Sequence, residues 1–319
     1  MFNFVLRRLL IAIPSLLGIS AILYCILAVA PGDPFGDLAT NPAVPAEVIA
    51  SLRAKFGLDD PPWLRYAHWL LAMFQGDWGY SFVSRVEVGH LILQRLPTTL
   101  FVVGISQVLA MAVALPVGVY AAVRPYSLFD HLASAMAFVG FSLPTFFTGV
   151  LLIMLFSIQL GWLPLVYQAD LPETGWAWFA AQIRQSLMPI MVLALFQCAS
   201  WTRYIRSAVL DVAYLDYVTT ARAKGLGEFK VVLRHIVRNS LIPVITLVAL
   251  QIPAIFGGAI VTEQIFRVPG IGSLLISSIL ANDTPVVMAV TFVFACLVVG
   301  FNILADLAYG WVDPRIKND

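Results

Sequence analysis

The chain has 319 residues, of which 60% are hydrophobic and 12% are charged, and its mean hydropathy is +0.88. Soluble domains carry about 25% charged residues, so this composition excludes an ordinary soluble globular protein and predicts a membrane protein. The net charge of +1 says little by itself, and the three cysteines, odd in number and without CxxC spacing, argue against a disulfide framework or a zinc site.

The first apolar segment, Leu9–Ala30, follows Arg7 and Arg8 near the start of the chain. The apolar core of a signal peptide has roughly 7–15 residues, and this run is longer. At a rise of about 1.5 Å per residue it spans roughly 33 Å as a helix, which is enough to cross the hydrocarbon core of a bilayer. We therefore predict a retained transmembrane helix.

The segment Pro31–Pro97, which follows the first apolar run, has the turn and helix signals of a folded structure. A helix is predicted from Pro45 to Phe56, with Gly57 as the residue that ends it, and the stretch Trp63–Phe74 is rich in aromatic residues. We predict a small helical subdomain lying on the outer face of the membrane. Its Trp and Tyr residues serve either as interfacial anchors or as a docking surface for an external partner.

Five further apolar segments complete a predicted set of six spans. Lys and Arg residues are concentrated on the side of the N-terminus, so the positive-inside rule places both termini in the cytoplasm. The predicted fold class is an all-α polytopic membrane protein, divided into residues 1–30 (N-terminus and first span), 31–97 (extracytoplasmic helical segment) and 98–319 (five spans, with a cytoplasmic loop at 203–240). The five segments are Thr98–Val123, Leu132–Leu160, Leu187–Thr202, Leu241–Ile265 and Pro285–Tyr309.

Two of these spans contain glycine and proline where a continuous helix is not expected. The third span carries Ser142 and Pro144 just after a glycine, and the fifth carries Gly257 and Gly258 just after a proline. In lipid, broken helical backbone persists only where protein or a water-filled cavity satisfies it. These four residues are therefore candidates for lining a path across the membrane, with close helix packing through small residues as the alternative.

The sequence contains none of the motifs that carry covalent chemistry or bind nucleotides. The four histidines are scattered, and neither GxSxG nor HExxH occurs. A GxxxxGK[ST] phosphate-binding loop is also absent, so any ATP that drives this protein must bind to another chain. Glu263 and Asp306 lie near the ends of their spans, which weakens an ion-coupled secondary transporter as an alternative without removing it. We predict no enzymatic activity, no metal site and no cofactor on this chain.

The long cytoplasmic loop, Arg203–Pro243, holds seven Lys and Arg residues. An amphipathic helix is predicted over Ala213–Lys224, with Tyr214, Tyr217, Val218 and Ala221 on one face. Gly225 ends this helix, and a second helix over Glu228–Ser240 leads back into the membrane. A loop with this much predicted structure indicates a platform on which another protein docks.

Residues Thr219–Gly225 resemble the EAA loop of ABC importer permeases, whose pattern is E-A-A-x-x-x-G, with Ala221 and Gly225 in the matching positions. The whole chain resembles more closely the first permease subunit of the dipeptide and oligopeptide ABC importers. The residues that carry this resemblance are Pro31–Pro34, Leu52–Arg53, Gly57–Asp59, Gly76–Asp77, Arg95–Leu100, Asp216–Val218, Ala221–Leu226, Arg238–Asn239, Pro243, Gly257–Gly258, Glu263, Phe266, Pro269–Gly272, Asp283, Asp306 and Asp313–Arg315.

The resemblance implies the type I ABC importer fold in a multi-pass protein of the cell membrane. It implies a second homologous permease subunit, two ATPase subunits that bind ATP and Mg, and an extracytoplasmic substrate-binding protein. It implies peptide transport, although importers of nickel, glutathione and opines share the framework. Coupling to the ATPases is expected through a short helix whose apolar side, with Tyr217, Val218 and Ala221, faces the ATPase. The coupling residues are Asp216, Tyr217, Val218, Ala221, Arg222, Ala223, Lys224 and Gly225.

Overall fold

The computed structural model describes residues 2–29, 45–55, 59–168, 171 and 174–312. These residues are almost entirely helical, as predicted, and the β-structure among them is one antiparallel bridge between Tyr80 and Glu87. Sequence features expected within 30–44, 56–58 and 313–319 lie outside the described residues. The helices are α1 (Phe2–Val29), α2 (Ala46–Lys55), α3 (Pro62–Phe74), α4 (Val88–Val123), α5 (Leu128–Ser142), α6 (Thr145–Leu152), α7 (Gly175–Ala213), α8 (Asp216–Ala223), α9 (Glu228–Val231), α10 (Arg238–Phe266), α11 (Ile271–Leu280) and α12 (Thr284–Val312).

Four of these helices are long and apolar enough to cross a membrane, and the number rises to six if each of two bent helix pairs counts as one span. The four are α1, α4, α7 and α12. A chain with this many candidate spans is a multi-pass membrane protein.

The described residues form two compact units, one within 98–269 and 300–312, the other within 2–97 and 270–299. In the first unit, α7 is the central helix, and small residues let its neighbours approach closely. A Cβ on Gly118 of α4 would lie 2.8 Å from Ile205 of α7, and one on Gly140 of α5 would lie 3.0 Å from Ala199. Close contact through small residues is the usual way in which helices pack in a membrane.

The predicted third span is divided between α5 and α6, which are bent by 100° at Leu143 and Pro144. Leu143 is extended, with φ −82° and ψ 126°, because the ring of a following proline disfavours helical backbone at this position. A π-helical segment, Ile153–Gln159, continues α6. The predicted helix break at Ser142 and Pro144 is therefore confirmed.

The predicted break in the fifth span is wrong, since α10 is one helix from Arg238 to Phe266 that contains Gly257 and Gly258. A proline inside a membrane helix removes one backbone donor, and neighbouring groups can make up for the loss without ending the helix. The fourth segment is longer than predicted. Hydropathy detects only the apolar middle of α7, and the polar residues at its two ends are also helical.

In the second unit, the short segment 81–83 before α4 is hydrogen-bonded to Asp283, the residue that precedes α12. The buried carboxylate of Asp283 accepts hydrogen bonds from the backbone N–H of Phe82 at 3.0 Å and of Val83 at 3.4 Å, and from the hydroxyl of Ser81. The helix α11, which is not among the predicted helices, ends just before this site. Asp283, one of the residues that carry the family resemblance, therefore closes a turn by binding backbone amides.

Candidate functional site

The candidate coupling element is the short helix α8, Asp216–Ala223, which a tight turn separates from α7. The turn at Tyr214 and Leu215 shortens the helix relative to the predicted range Ala213–Lys224, because α7 continues as far as Ala213. Leu215 is extended, with φ −71° and ψ 147°, and its carbonyl accepts from the N–H of Val218 at 2.9 Å. Asp216 lies in the first turn, where a negative charge interacts favourably with the helix dipole.

The apolar face of α8 is directed into the core of its own chain. Val218 is 0% exposed and Ala221 is 5% exposed, and both belong to a cluster with Val209, Val231 and Ile236. The expectation that Val218 and Ala221 face an ATPase is therefore wrong. Burying apolar surface gains roughly 25 cal/mol per Å², and the flanking helices offer this surface without any partner.

The opposite face of α8 is exposed. It presents Asp216, Thr219, Thr220 and Ala223, with Lys224 beyond the helix end. Tyr217 lies at the edge between the two faces and is 41% exposed. Six of the eight predicted coupling residues are therefore on the surface, where a partner could reach them: Asp216, Tyr217, Arg222, Ala223, Lys224 and Gly225.

The C-terminus of α8 is closed by a glycine in the left-handed region. Gly225 has φ +78°, its N–H bonds the carbonyl of Arg222 at 2.9 Å, and the N–H of Leu226 bonds the carbonyl of Ala221 at 3.4 Å. These two bonds form a Schellman motif, and Leu226 supplies the hydrophobic contact that often accompanies it. The prediction that Gly225 ends this helix is confirmed.

Two side-chain contacts connect α8 to the segment that follows it. Arg222 donates to both carboxylate oxygens of Glu228, at 2.7 Å and 3.2 Å, and these bonds lower the pKa of Glu228. Asn239 donates to the hydroxyl of Tyr217 at 3.0 Å and to the carbonyl of His235 at 2.7 Å. Glu228 and Asn239 are not among the predicted site residues. Both contacts cross the turn at Gly225, so the periodicity of one helix could not reveal them.

A second ion pair, between Asp130 and Arg206, lies deeper in the same unit. Arg206 of α7 donates to the two carboxylate oxygens of Asp130 of α5 at 2.5 Å and 2.7 Å, and the N–H of Tyr126 donates to the same carboxylate at 2.9 Å. Asp130 is 3% exposed. Arg206 lies about two turns before the end of α7, so the pair fixes α5 against the helix from which α8 extends. Because the two residues are 76 positions apart, no local sequence pattern predicts this ion pair.

The four candidate path residues occupy two places in the first unit. Ser142 and Pro144 are exposed at the bend between α5 and α6, and the Ser142 hydroxyl donates to the carbonyl of Phe138 at 2.8 Å. Gly257 is exposed on α10 with open space where a Cβ would lie, and Gly258 belongs to the same helix. Among the described residues, no group of His, Cys, Asp and Glu could hold a metal ion.

Two family models together match almost the whole chain. Residues 114–318 match the binding-protein-dependent transport system inner membrane component, and residues 1–103 match its N-terminal part. The oligopeptide transport system permease protein AppB of Bacillus subtilis is 42% identical over 318 residues, which is 99% of this chain and 100% of that protein. The dipeptide transport system permease protein DppB of Escherichia coli K12 is 37% identical over 337 residues, 100% of this chain and 99% of that protein.

Among solved structures, the MetNI methionine ABC transporter in an inward-facing conformation has a similar fold. It aligns with a TM-score of 0.55 and 17% identity over 70% of this chain and 96% of that chain. This similarity concerns the fold alone, since the sequences are distant. The family models and the full-length relatives lead to one conclusion: the chain belongs to the family of inner membrane components of binding-protein-dependent transport systems, which includes the dipeptide and oligopeptide permeases of ABC importers.

Proposed function

We propose that the chain forms half of the translocation path of an ABC importer for di- or oligopeptides, driven by ATP hydrolysis on separate subunits. Full-length similarity to one oligopeptide and one dipeptide permease supports the peptide substrate. An importer of nickel, glutathione or opines on the same framework is the alternative. An ion-coupled secondary transporter loses support, because the family works with binding proteins.

In the proposed assembly the chain crosses the inner membrane six times, with both termini in the cytoplasm. The partners are a second homologous permease, two ATPase subunits that carry ATP and Mg, and an extracytoplasmic substrate-binding protein. The six spans are α1, α4, the bent pair α5–α6, α7, α10 and α12. The concentration of Lys and Arg residues around α8 supports a cytoplasmic position for this helix.

The main support for the proposal is the way in which α8 packs against its own chain and is hydrogen-bonded to it. Its apolar face is buried in the core of the first unit, and its polar face is free for a partner. The Schellman motif at Gly225 and the contacts of Tyr217 and Arg222 fix its angle. A helix held in this way moves as one body with α7 and α10. A displacement of α8 by a partner is therefore transmitted to these two spans.

In the proposed cycle, ATP binding closes the two ATPases and displaces α8. The displacement passes through Val218 and Ala221 to the packed ends of α7 and α10, and the path between the two permeases opens outward. Ser142, Pro144, Gly257 and Gly258 are proposed to lie near this path. The exposed bend at Pro144 and the open space beside Gly257 support their placement.

Uptake by the reconstituted complex tests the function. The chain is assembled in proteoliposomes with the second permease, the ATPases and the binding protein encoded with it, and labelled dipeptide and oligopeptide uptake is measured with ATP. We expect uptake that requires hydrolysable ATP and continues when a protonophore collapses the proton gradient. Uptake that stops with the gradient contradicts the ABC mechanism. Uptake of nickel or glutathione but not of peptides contradicts the proposed peptide substrate and leaves the ABC mechanism unaffected.

A further inference from the structure

The helix α3, Pro62–Phe74, has three distinct faces in the second unit. One face packs within the unit through Tyr66, Trp69 and Met73, and a second face carries Arg65 and the exposed His68. The third face is apolar and uncovered, with exposed fractions of 74% for Trp63, 40% for Leu64, 59% for Leu71 and 71% for Phe74. Their helical spacing places these four side chains along one stripe.

The contacts of α3 with α1 show how far along the first span it lies. The hydroxyl of Tyr66 is 2.9 Å from the hydroxyl of Ser20, and its ring is 5.4 Å from the ring of Tyr24. Ser20 is near the middle of the candidate span Leu10–Val29, about 14 Å along the helix from Val29 at a rise of about 1.5 Å per residue. The exposed Arg7 and Arg8 lie just before this span. They keep it from shifting toward the side of its C-terminal end, because such a shift would bring two charged residues into the hydrocarbon core.

The contacts of α3 with α12 give a second, independent measure of the depth of α3 in the membrane. The ring of Trp69 meets the ring of Phe292 edge to face, with centroids 6.1 Å apart. Phe292 lies about 12 Å along α12 from its first residue, Thr284, at about 1.5 Å per residue. The hydrocarbon core of a bilayer is about 30 Å thick, so both measures place α3 within one leaflet, well below its surface.

From these two measures we infer that α3 is embedded in the leaflet that contains the C-terminal half of α1, and that its uncovered apolar stripe contacts lipid acyl chains. This inference rests on the spans of the proposed topology and differs from the expectation of a subdomain lying on the outer face of the membrane. The stripe therefore lies beside a span that itself exposes apolar side chains to lipid, among them Ile19, Ile22 and Ile26. Lipid is therefore its occupant, and the hydroxyls of Ser20 and Tyr66 satisfy each other where water is scarce.

Spin labelling of the assembled transporter in lipid nanodiscs tests the inference. In a background with Cys25, Cys198 and Cys296 replaced by alanine, single variants Leu71→Cys and Phe74→Cys carry a nitroxide on the stripe. His68→Cys, on the polar face of the same helix, is the matched control. Collision rates are measured with molecular oxygen, which concentrates in the acyl chains, and with a water-soluble nickel chelate. Peptide uptake by the same preparations is measured separately, so a loss of transport is not confused with a change of depth.

We expect the labels at Leu71 and Phe74 to collide with oxygen several-fold more often than with the nickel chelate, and the label at His68 to show a much lower ratio. High collision rates with the chelate at all three positions would overturn the inference, because α3 would then lie in water. Low rates with both reagents at Leu71 and Phe74 would also overturn it, because a protein partner would then cover the stripe. Either result can occur in a transporter that takes up peptides normally.

Discussion

The amide of Leu226 donates to the carbonyl oxygen of Ala221 across the turn at Gly225, and this bond closes the end of the helix that we propose as the coupling element. The bond requires the left-handed backbone that Gly225 adopts, at φ +78°. The direction in which the chain leaves α8 therefore depends on one residue without a Cβ.

Replacement of that glycine by valine is expected to uncouple the transporter. A β-branched residue at φ +78° costs roughly 1–3 kcal/mol, and nothing within 4 Å of the Cβ position would clash, so backbone strain is the main effect. Gly225→Val should leave the chain in the membrane and abolish substrate-stimulated ATP hydrolysis by the complex. Gly225→Asn is the control, since asparagine tolerates the left-handed region, and it should retain most of the stimulation. Full stimulation with valine would show that the turn does not transmit movement.

Replacement of Ala221 by aspartate is expected to destabilise the chain itself. Ala221 is 5% exposed within the core of the first unit, and an unpaired carboxylate there costs several kcal/mol. Ala221→Asp should lower the thermal midpoint of the detergent-solubilised protein, measured by fluorescence-detected size exclusion. Ala223→Asp, on the exposed face of the same helix, should leave that midpoint unchanged while reducing stimulated hydrolysis. Equal midpoints for the two variants would contradict the buried position of Ala221.

The ion pair between Asp130 and Arg206 should contribute more to stability than an ion pair on the surface. Asp130→Asn weakens two charge-assisted hydrogen bonds of a carboxylate that is 3% exposed, and about 1–3 kcal/mol should be lost. Asp59→Asn, at the exposed pair between Arg53 and Asp59, should cost about 0–1 kcal/mol. The thermal midpoints of the two variants measure this difference. Equal small shifts would show that the deeper pair does not hold α5 against α7.

Much of the fold follows from apolar length alone, because a membrane helix must be apolar over its whole span. The bend at Pro144 was also predictable, since it depends on one residue and its predecessor. The direction of Val218 and Ala221 was not predictable, because an apolar stripe shows that a helix face is buried but not which surface buries it. The contacts Arg222–Glu228 and Asp130–Arg206 depend on tertiary packing, which has no period in the sequence.

A bulky side chain in the proposed path should block transport without preventing assembly. At Gly257 the Cβ position has open space, so Gly257→Trp fits the chain, and at Ser142 the side chain is exposed. Ser142→Trp, Gly257→Trp and Gly258→Trp should each form the complete complex and lower peptide uptake several-fold. Gly118→Trp is the contrasting variant, since even a Cβ there lies 2.8 Å from Ile205, and it should reduce the amount of folded chain. Normal uptake by the three path variants would show that these residues do not line the path and serve only in helix packing.

The proposed topology predicts that Glu47 and Glu228 are on opposite sides of the membrane. Both are exposed, Glu47 at the start of α2 and Glu228 at the start of α9, so a single cysteine at either position is open to reagents. In right-side-out vesicles, a membrane-impermeant maleimide should label Glu47→Cys and leave Glu228→Cys unlabelled until the vesicles are opened. Inverted vesicles should give the reverse pattern, which excludes an effect of intrinsic reactivity. Labelling of both positions from one side would mean that an odd number of the proposed crossings between them is wrong. If that side were the extracytoplasmic one, α8 would also not face the ATPases.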